Sequence, residues 1–146
     1  MYDTILLAYD GSADGRAALE QGTEHTALCR SKVHLVAVLT PSAGVELAEA
    51  AYPSGMCRQW QQDDVDRVLD EGAVRLRDAG LEVTTHFCRG QPAEEIGVIA
   101  RDVGADLIVV GHREQSAFAR WWRGSVGQSL LEHAPCSVLV TIPTRD

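Results

Sequence analysis

A chain of 146 residues is long enough to form one domain with its own hydrophobic core. Its 21 acidic residues outnumber 13 basic ones, giving a net charge of −8, and lysine occurs only at Lys32, which argues against a nucleic-acid partner. No apolar run is long enough to span a bilayer, and the chain does not open on a charged, apolar signal segment. We therefore expect a cytoplasmic protein that does not contact membranes.

The four cysteines, Cys29, Cys57, Cys88 and Cys136, are widely spaced and form no C-x-x-C pair. In a reducing compartment this pattern favours reduced, partly buried thiols over a disulfide framework or a zinc site.

The first half of the chain predicts a strand, a helix and a second strand. Residues 4–9 form a continuous apolar run that ends at Asp10-Gly11-Ser12, which is typical of a strand buried on both faces and followed by a turn. Ser12 is a suitable cap for a helix that reaches about Cys29. Residues 33–39 form the second apolar strand, and residues 40–62 read as irregular, with a short helix over 45–51 as one option.

The second half alternates helix and strand. Helical spacing predicts a helix from Asp63 to Ala79 that stops at Gly80, and another that begins at Pro92 and stops at Gly104. A last helix is expected from Gly124 to about residue 133, and the predicted strands cover residues 81–88, 105–111 and 137–142. This alternation predicts an α/β fold with a doubly wound, mostly parallel sheet, formed as a single domain over residues 1–146. Ligands of such folds bind beyond the carboxyl ends of the strands, where the strand order reverses.

The loop after the fourth predicted strand carries the main chemical signal. Gly111 ends that strand, and the pair Gly124-Ser125 opens the next helix, so backbone N–H groups there are free of bulky side chains and suit a phosphate. Between them stand three arginines and one acidic residue, Glu114, which give this loop a local positive charge in an acidic chain. The same arginines would also suit a solvated surface or a protein partner.

Three stretches of this sequence resemble the universal stress protein family, and together they cover essentially the whole chain. They are residues 5–12 (ILLAYDGS), 104–111 (GADLIVVG) and 124–140 (GSVGQSLLEHAPCSVLV). The resemblance implies a Rossmann-like fold of the adenine nucleotide alpha hydrolase type, with five parallel strands in the order 3-2-1-4-5 and helices on both faces. It also implies a homodimer formed through the last strand, where Val138, Val140 and Ile142 make an apolar edge. The alternative is a monomer whose tail shields that edge.

ATP-binding members of the family carry G-x-x-G, nine residues and then G-[ST] after strand four. Gly111, Gly124 and Ser125 match this signature, but Glu114 stands where the second glycine is expected, and a carboxylate repels a triphosphate. The resemblance implies that Asp10 lies near the ribose or phosphates and Val38 near the adenine. Including Arg113 as a phosphate ligand, the predicted nucleotide-binding residues are Asp10, Val38, Val110, Gly111, Arg113, Gly124, Ser125 and Val126. Structural roles are open for several: Asp10 suits a turn, Val38 a core and Ser125 a helix cap.

The expected function is that of a dimeric stress-response protein that binds ATP, with or without Mg²⁺. No catalytic or metal-binding residues are assigned, and any ATP hydrolysis is expected to be slow because the sequence offers no evident pair to activate water. Because of Glu114, a dimeric interaction module of the same family that no longer binds nucleotides is the alternative. An enzyme acting on a small adenylated or phosphorylated substrate is a third reading.

Overall fold

The computed structural model describes residues 2–9, 19–24, 30–39, 47–48, 50–51, 53, 55–111 and 130–141. Helical residues also occur at 19–24, 47–48, 50–51 and 130–133. The elements with defined bounds are strands β1 (Thr4–Ala8), β2 (Lys32–Leu39), β3 (Val83–Arg89), β4 (Leu107–Gly111) and β5 (Ser137–Thr141), and helices α1 (Met56–Asp78) and α2 (Pro92–Val103).

The five strands form one sheet in which all neighbours are parallel and the order is β3-β2-β1-β4-β5. This confirms the predicted order. Leu7 of the central strand pairs with Leu35 on one side and Val109 on the other. Since all strands run the same way, their starts share one edge of the sheet, here called the amino edge, and their ends share the opposite one, the carboxyl edge.

Helices cover both faces of the sheet, as predicted, and each face holds its own apolar cluster. The first cluster lies under α1 and joins Ile5, Leu7 and Tyr9 of the β1 segment to Leu69, Ala73 and Leu76. The second lies under α2 and joins Leu6 and Ala8 to Ile96, Ala100 and Leu130. Residues 5–9 are all buried, because alternate side chains of a central strand enter opposite clusters. This is why the segment reads as an uninterrupted apolar run.

Helix α1 begins at Met56, so the start predicted at Asp63 is wrong by about two turns. The polar residues before Asp63 read as loop, but Gly55 turns the chain with a φ of 75° and its carbonyl accepts the first helical bond from the Gln59 N–H at 3.0 Å. The Gln59 side chain then donates to Asp63 one turn later, at 2.9 Å. The predicted stop at Gly80 is confirmed, since its φ of 88° cannot continue a helix.

Helix α2 begins at Pro92 and is capped by Gly104, as predicted. Its Gly97 allows close contact with the helical segment 130–133, because a Cβ atom there would lie 2.8 Å from the His133 carbonyl oxygen. Arg101 donates to that same carbonyl at 2.9 Å. The two elements are therefore joined by backbone proximity and a charged hydrogen bond.

The amino edge of the sheet is held by a carboxylate. Asp106, just before β4, accepts hydrogen bonds from the backbone N–H groups of Asp3 at 2.8 Å and Thr4 at 3.0 Å. These bonds, chiefly the one from Asp3, hold the pKa of Asp106 below its ordinary value. In return, the Asp106 N–H donates to the Thr4 carbonyl at 2.9 Å. The starts of the two central strands are thereby fixed to each other.

Candidate functional site at the carboxyl edge

The site predicted from the sequence lies where β1 and β4 end side by side. The strand order reverses at this point. On one side of β1 the sheet continues with β2 and β3, and on its other side it continues with β4 and β5. Among the predicted ligand residues, Val38, Val110 and Gly111 are described, and Gly111 ends β4 as expected. The remaining five, Asp10, Arg113, Gly124, Ser125 and Val126, lie outside the described residues, as does Glu114.

Val38 and Val110 of the predicted site share one face of the sheet. Val110 is 0% exposed and belongs to the second cluster, and Val38 packs against that cluster while staying partly exposed. Ala8, at the end of the strand between them, is 3% exposed. The Val110 side chain is therefore core, so a ligand at the end of β4 would meet backbone rather than this side chain. A ligand contact of Val38 stays a prediction.

Thr141 fixes the end of β4 from the neighbouring strand. Gly111 is paired with Thr141, whose side-chain hydroxyl donates to the Val110 carbonyl oxygen at 3.3 Å. Thr141 is 2% exposed and follows three apolar residues in β5, whose other polar residue, Ser137, is exposed. A buried hydroxyl needs a partner, so its position in the sequence was a signal for such a bond that the sequence reading did not use.

Tyr9 fixes the end of β1, directly before Asp10. Its N–H donates to the Val36 carbonyl at 3.1 Å, and its buried phenol donates to a Glu71 carboxylate oxygen at 3.2 Å. Its ring lies against α1 at Gly72, where a Cβ atom would come within 2.8 Å of the ring carbon Cδ1. Three contacts thus hold the point from which the Asp10-Gly11-Ser12 turn departs.

The carboxyl edge also carries a cation that the sequence reading did not single out. Arg89 ends β3, donates to the Gln62 side-chain oxygen of α1 and lies 5.9 Å from the centre of the Phe87 ring. The Gly90 N–H then bonds the Leu39 carbonyl at 3.0 Å. Arg89 is therefore already engaged by α1 and by its own strand.

Metal and redox chemistry find little support in the part of the chain that is described. No group of three or more His, Cys, Asp or Glu side chains there is arranged to hold a metal ion. Cys88 and Cys136 are half-buried free thiols, and burial raises the pKa of both, so they are protonated at neutral pH. No described helix is long and apolar enough to cross a membrane.

The sequence is similar to those of known proteins over nearly its whole length. The sequence profile of the universal stress protein family matches residues 1–141. A Thermus aquaticus universal stress protein is 31% identical over 146 residues, which cover 96% of this chain and 98% of the relative. A Bacillus subtilis universal stress protein is 24% identical over 147 residues, covering 96% and 99% of the two chains.

Solved structures show the same fold. A universal stress protein from Burkholderia pseudomallei, 27% identical, superposes with a TM-score of 0.72 over 96% of each chain. A universal stress protein in complex with cAMP is 22% identical, with a TM-score of 0.68 over 98% of each chain. One from Archaeoglobus fulgidus in complex with dAMP is 23% identical, with a TM-score of 0.64 over 95% of this chain and 97% of that one. The profile match over residues 1–141, together with the sheet order, shows that this chain belongs to the universal stress protein family.

Proposed function

We propose that this protein binds an adenine nucleotide at the carboxyl edge between β1 and β4 and acts as a dimeric, cytoplasmic stress-response protein. The observation that carries the proposal is the reversal of strand order at two strand ends that finish in Ala8 and Gly111. Gly111 carries no side chain that would stand between a ligand and the backbone at the end of β4, which suits a ligand held mainly by N–H groups. The dAMP and cAMP complexes of similarly folded proteins support an adenosine monophosphate unit as the shared ligand chemistry.

ATP, with Mg²⁺, is the finer form of this proposal. Gly111, Gly124 and Ser125 keep three positions of the ATP signature, and Arg113 adds a cation suited to phosphate oxygens. Glu114 favours a second candidate, an interaction module without nucleotide, because its carboxylate opposes a triphosphate. A monophosphate carries less charge than a triphosphate, so AMP is the more sensitive probe of the site.

Titration calorimetry with AMP and with ATP plus Mg²⁺ tests the proposal. We expect saturable binding by the wild type and a loss of at least about tenfold in Gly124→Leu, because a side chain there blocks backbone approach to phosphate. Ala79→Leu is the matched control, since Ala79 is exposed and lies past the end of α1, away from the carboxyl edge. No heat with either nucleotide at about millimolar concentration supports the module instead.

The proposed dimer uses β5, which lies at one end of the sheet order. Val138, Leu139 and Val140 are only half-buried, so a partner strand would cover apolar surface as well as an open strand edge. Analytical ultracentrifugation of the wild type and Ile142→Asp tests this. We expect a dimer that dissociates in the variant, and a monomeric wild type would reject the dimer without bearing on nucleotide binding.

A further inference from the structure

Two histidines from adjacent strands contact each other on the α2 face of the sheet. His34 Nδ1 of β2 and His86 Nε2 of β3 are 2.9 Å apart, and the rings stack with their centres 5.1 Å apart. The contact is diagonal, because the strand register pairs His34 with Thr84 and Val36 with His86. Both rings are partly exposed to solvent. Neither histidine is among the predicted nucleotide-binding residues.

The short nitrogen–nitrogen distance requires one hydrogen between the two atoms. In the uncharged pair, one ring N–H donates to the unprotonated nitrogen of the other ring. One added proton keeps the bond, since an imidazolium still donates to a neutral imidazole. A second proton puts a hydrogen on both facing nitrogens, removes the acceptor and leaves two positive rings in contact. The pair should therefore titrate as a unit in two steps.

The groups around the pair hold it uncharged at neutral pH. Burial and then the charge of the neighbouring ring lower the pKa of His34, and Lys32 on the same strand adds to this. Burial also lowers the pKa of His86, while Asp102 of α2 acts in the opposite direction and favours the first proton there. Glu82 lies just before β3, near His34 and Lys32, and Glu95 of α2 lies near Cys88 instead.

The pair matters because β3 is an edge strand. It is bonded to β2 alone, so nothing on its other side within the described sheet replaces a lost contact. The carboxyl end of β3 has further support from the Gly90 bond to Leu39 and from the bond that Arg89 donates to Gln62 of α1. At the other end, Val83 packs against the first cluster on the α1 face and its carbonyl accepts from Arg77 at 3.4 Å, while on the α2 face the two histidines supply the side-chain contact between the strands. Loss of their bond should loosen the first half of β3, residues 83–86.

We propose that the His34–His86 pair is a proton-operated latch on the edge strand β3, which stays closed while the pair carries at most one added proton and opens residues 83–86 when both rings are protonated. The inference does not depend on nucleotide binding. Protons rather than a metal ion are assigned to the pair, since the described residues hold no third ligand group beside it.

Hydrogen exchange measured by NMR at about pH 7.5 and about pH 5, in EDTA and corrected for intrinsic rates, tests the latch. In the wild type, we expect protection of residues 83–86 to fall by about tenfold in acid, while β1 and β4 stay protected. His86→Gln keeps a polar side chain but cannot titrate, so this local change should shrink to about twofold or less. His133→Gln, outside the pair, should behave as the wild type does.

Two results would overturn the latch. One is an equal loss of protection in the wild type and His86→Gln, and the other is a loss that spreads to β1 and β4 together. If His86→Gln does not fold, ring ¹⁵N titration of the wild type decides instead. Coupled, two-step curves for His34 and His86 support the latch, and two independent single-step curves reject it.

Discussion

The two edges of the sheet use polar groups in different ways. At the amino edge, polar side chains are occupied by the protein itself: Asp106 accepts from Asp3 and Thr4, and the Ser31 hydroxyl donates to the Tyr2 carbonyl. At the carboxyl edge, the two central strands end in small residues, Ala8 and Gly111, and side chains beside those ends make the polar contacts. Those contacts, from Tyr9 and Thr141, fix the strand ends rather than fill the space beyond them.

This difference teaches how one sheet separates stability from binding. Polar groups with partners inside the protein stabilise the fold, whereas a phosphate needs backbone N–H groups that are not already hydrogen-bonded within the protein. Substitutions at the amino edge should therefore alter stability and leave ligand binding unchanged. Substitutions of the predicted ligand residues Asp10 and Gly124 should do the reverse.

The largest stability effect is expected from Asp106→Ala. It removes the acceptor of two backbone N–H groups, and because the site is partly exposed water replaces some of the loss, so we expect the free energy of unfolding to fall by about 1–2 kcal/mol. Urea unfolding measures this, and calorimetry should show unchanged nucleotide affinity. Weakened nucleotide binding by an Asp106→Ala protein that is still fully folded would contradict the distinction between the two edges.

A somewhat smaller effect is expected from Tyr9→Phe at the carboxyl edge. The change removes the hydrogen bond to Glu71, so the free energy of unfolding should fall by about 1 kcal/mol. Tyr2→Phe is the matched control, because the Tyr2 hydroxyl has no hydrogen-bond partner among the described residues. Equal losses in both variants, measured by urea unfolding, would show that the Glu71 bond adds nothing.

Stability should also show two acid-sensitive ranges, one from the His34–His86 pair between β2 and β3 and one from Asp106 at the amino edge. The folded pKa values of His34 and His86 are lowered from 6.5, so the unfolded chain binds more protons and stability falls as the pH drops below about 6.5. The pKa of Asp106 is lowered too, so its contribution is complete above about 3.9 and is lost as the pH falls through the folded value. In unfolding curves across pH, the first range should shrink in His86→Gln, where His34 still titrates, and the second should be lost in Asp106→Asn. A wild-type curve that is flat from neutral pH to about 4 contradicts the first.

The smallest effect concerns Arg30, which enters β2 with a φ of 53°. This left-handed conformation is unfavourable for arginine, so Arg30→Gly should raise the free energy of unfolding by about 0.5 kcal/mol after the entropy of the unfolded chain is included. Thermal unfolding measures it. A lower melting temperature would mean that the arginine side chain contributes more than its backbone costs.

Much of the fold could be predicted because its signals are local. The buried strands read as apolar runs, and Pro92 and Gly104 mark α2 by their own backbone preferences. The start of α1 could not be predicted, because a run of polar residues on the solvent-facing side of a helix resembles a loop in sequence. Contacts that depend on strand register, such as the one between His34 and His86, could not be predicted either. The sequence places Cys88 two residues from His86, whereas the residue that His86 contacts is 52 positions away along the chain.

The candidate site divides in the same way. Its place at the ends of β1 and β4 followed from the alternation of strands and helices, which is a property of the whole chain. A buried tyrosine before Asp10 predicts some partner for its hydroxyl, but Glu71 could be identified only from the packing of α1. The signature residues from Arg113 to Val126 rest on sequence alone.

An NMR titration of the wild type with AMP tests the central claim most directly. We expect the amide signals of Tyr9, Val38 and Gly111 at the carboxyl edge to shift and saturate together. Those of Lys32, Val83 and Asp106 at the amino edge should stay in place. Shifts confined to the amino edge, or none anywhere at about 5 mM AMP, would contradict the assignment of the carboxyl edge as a nucleotide site.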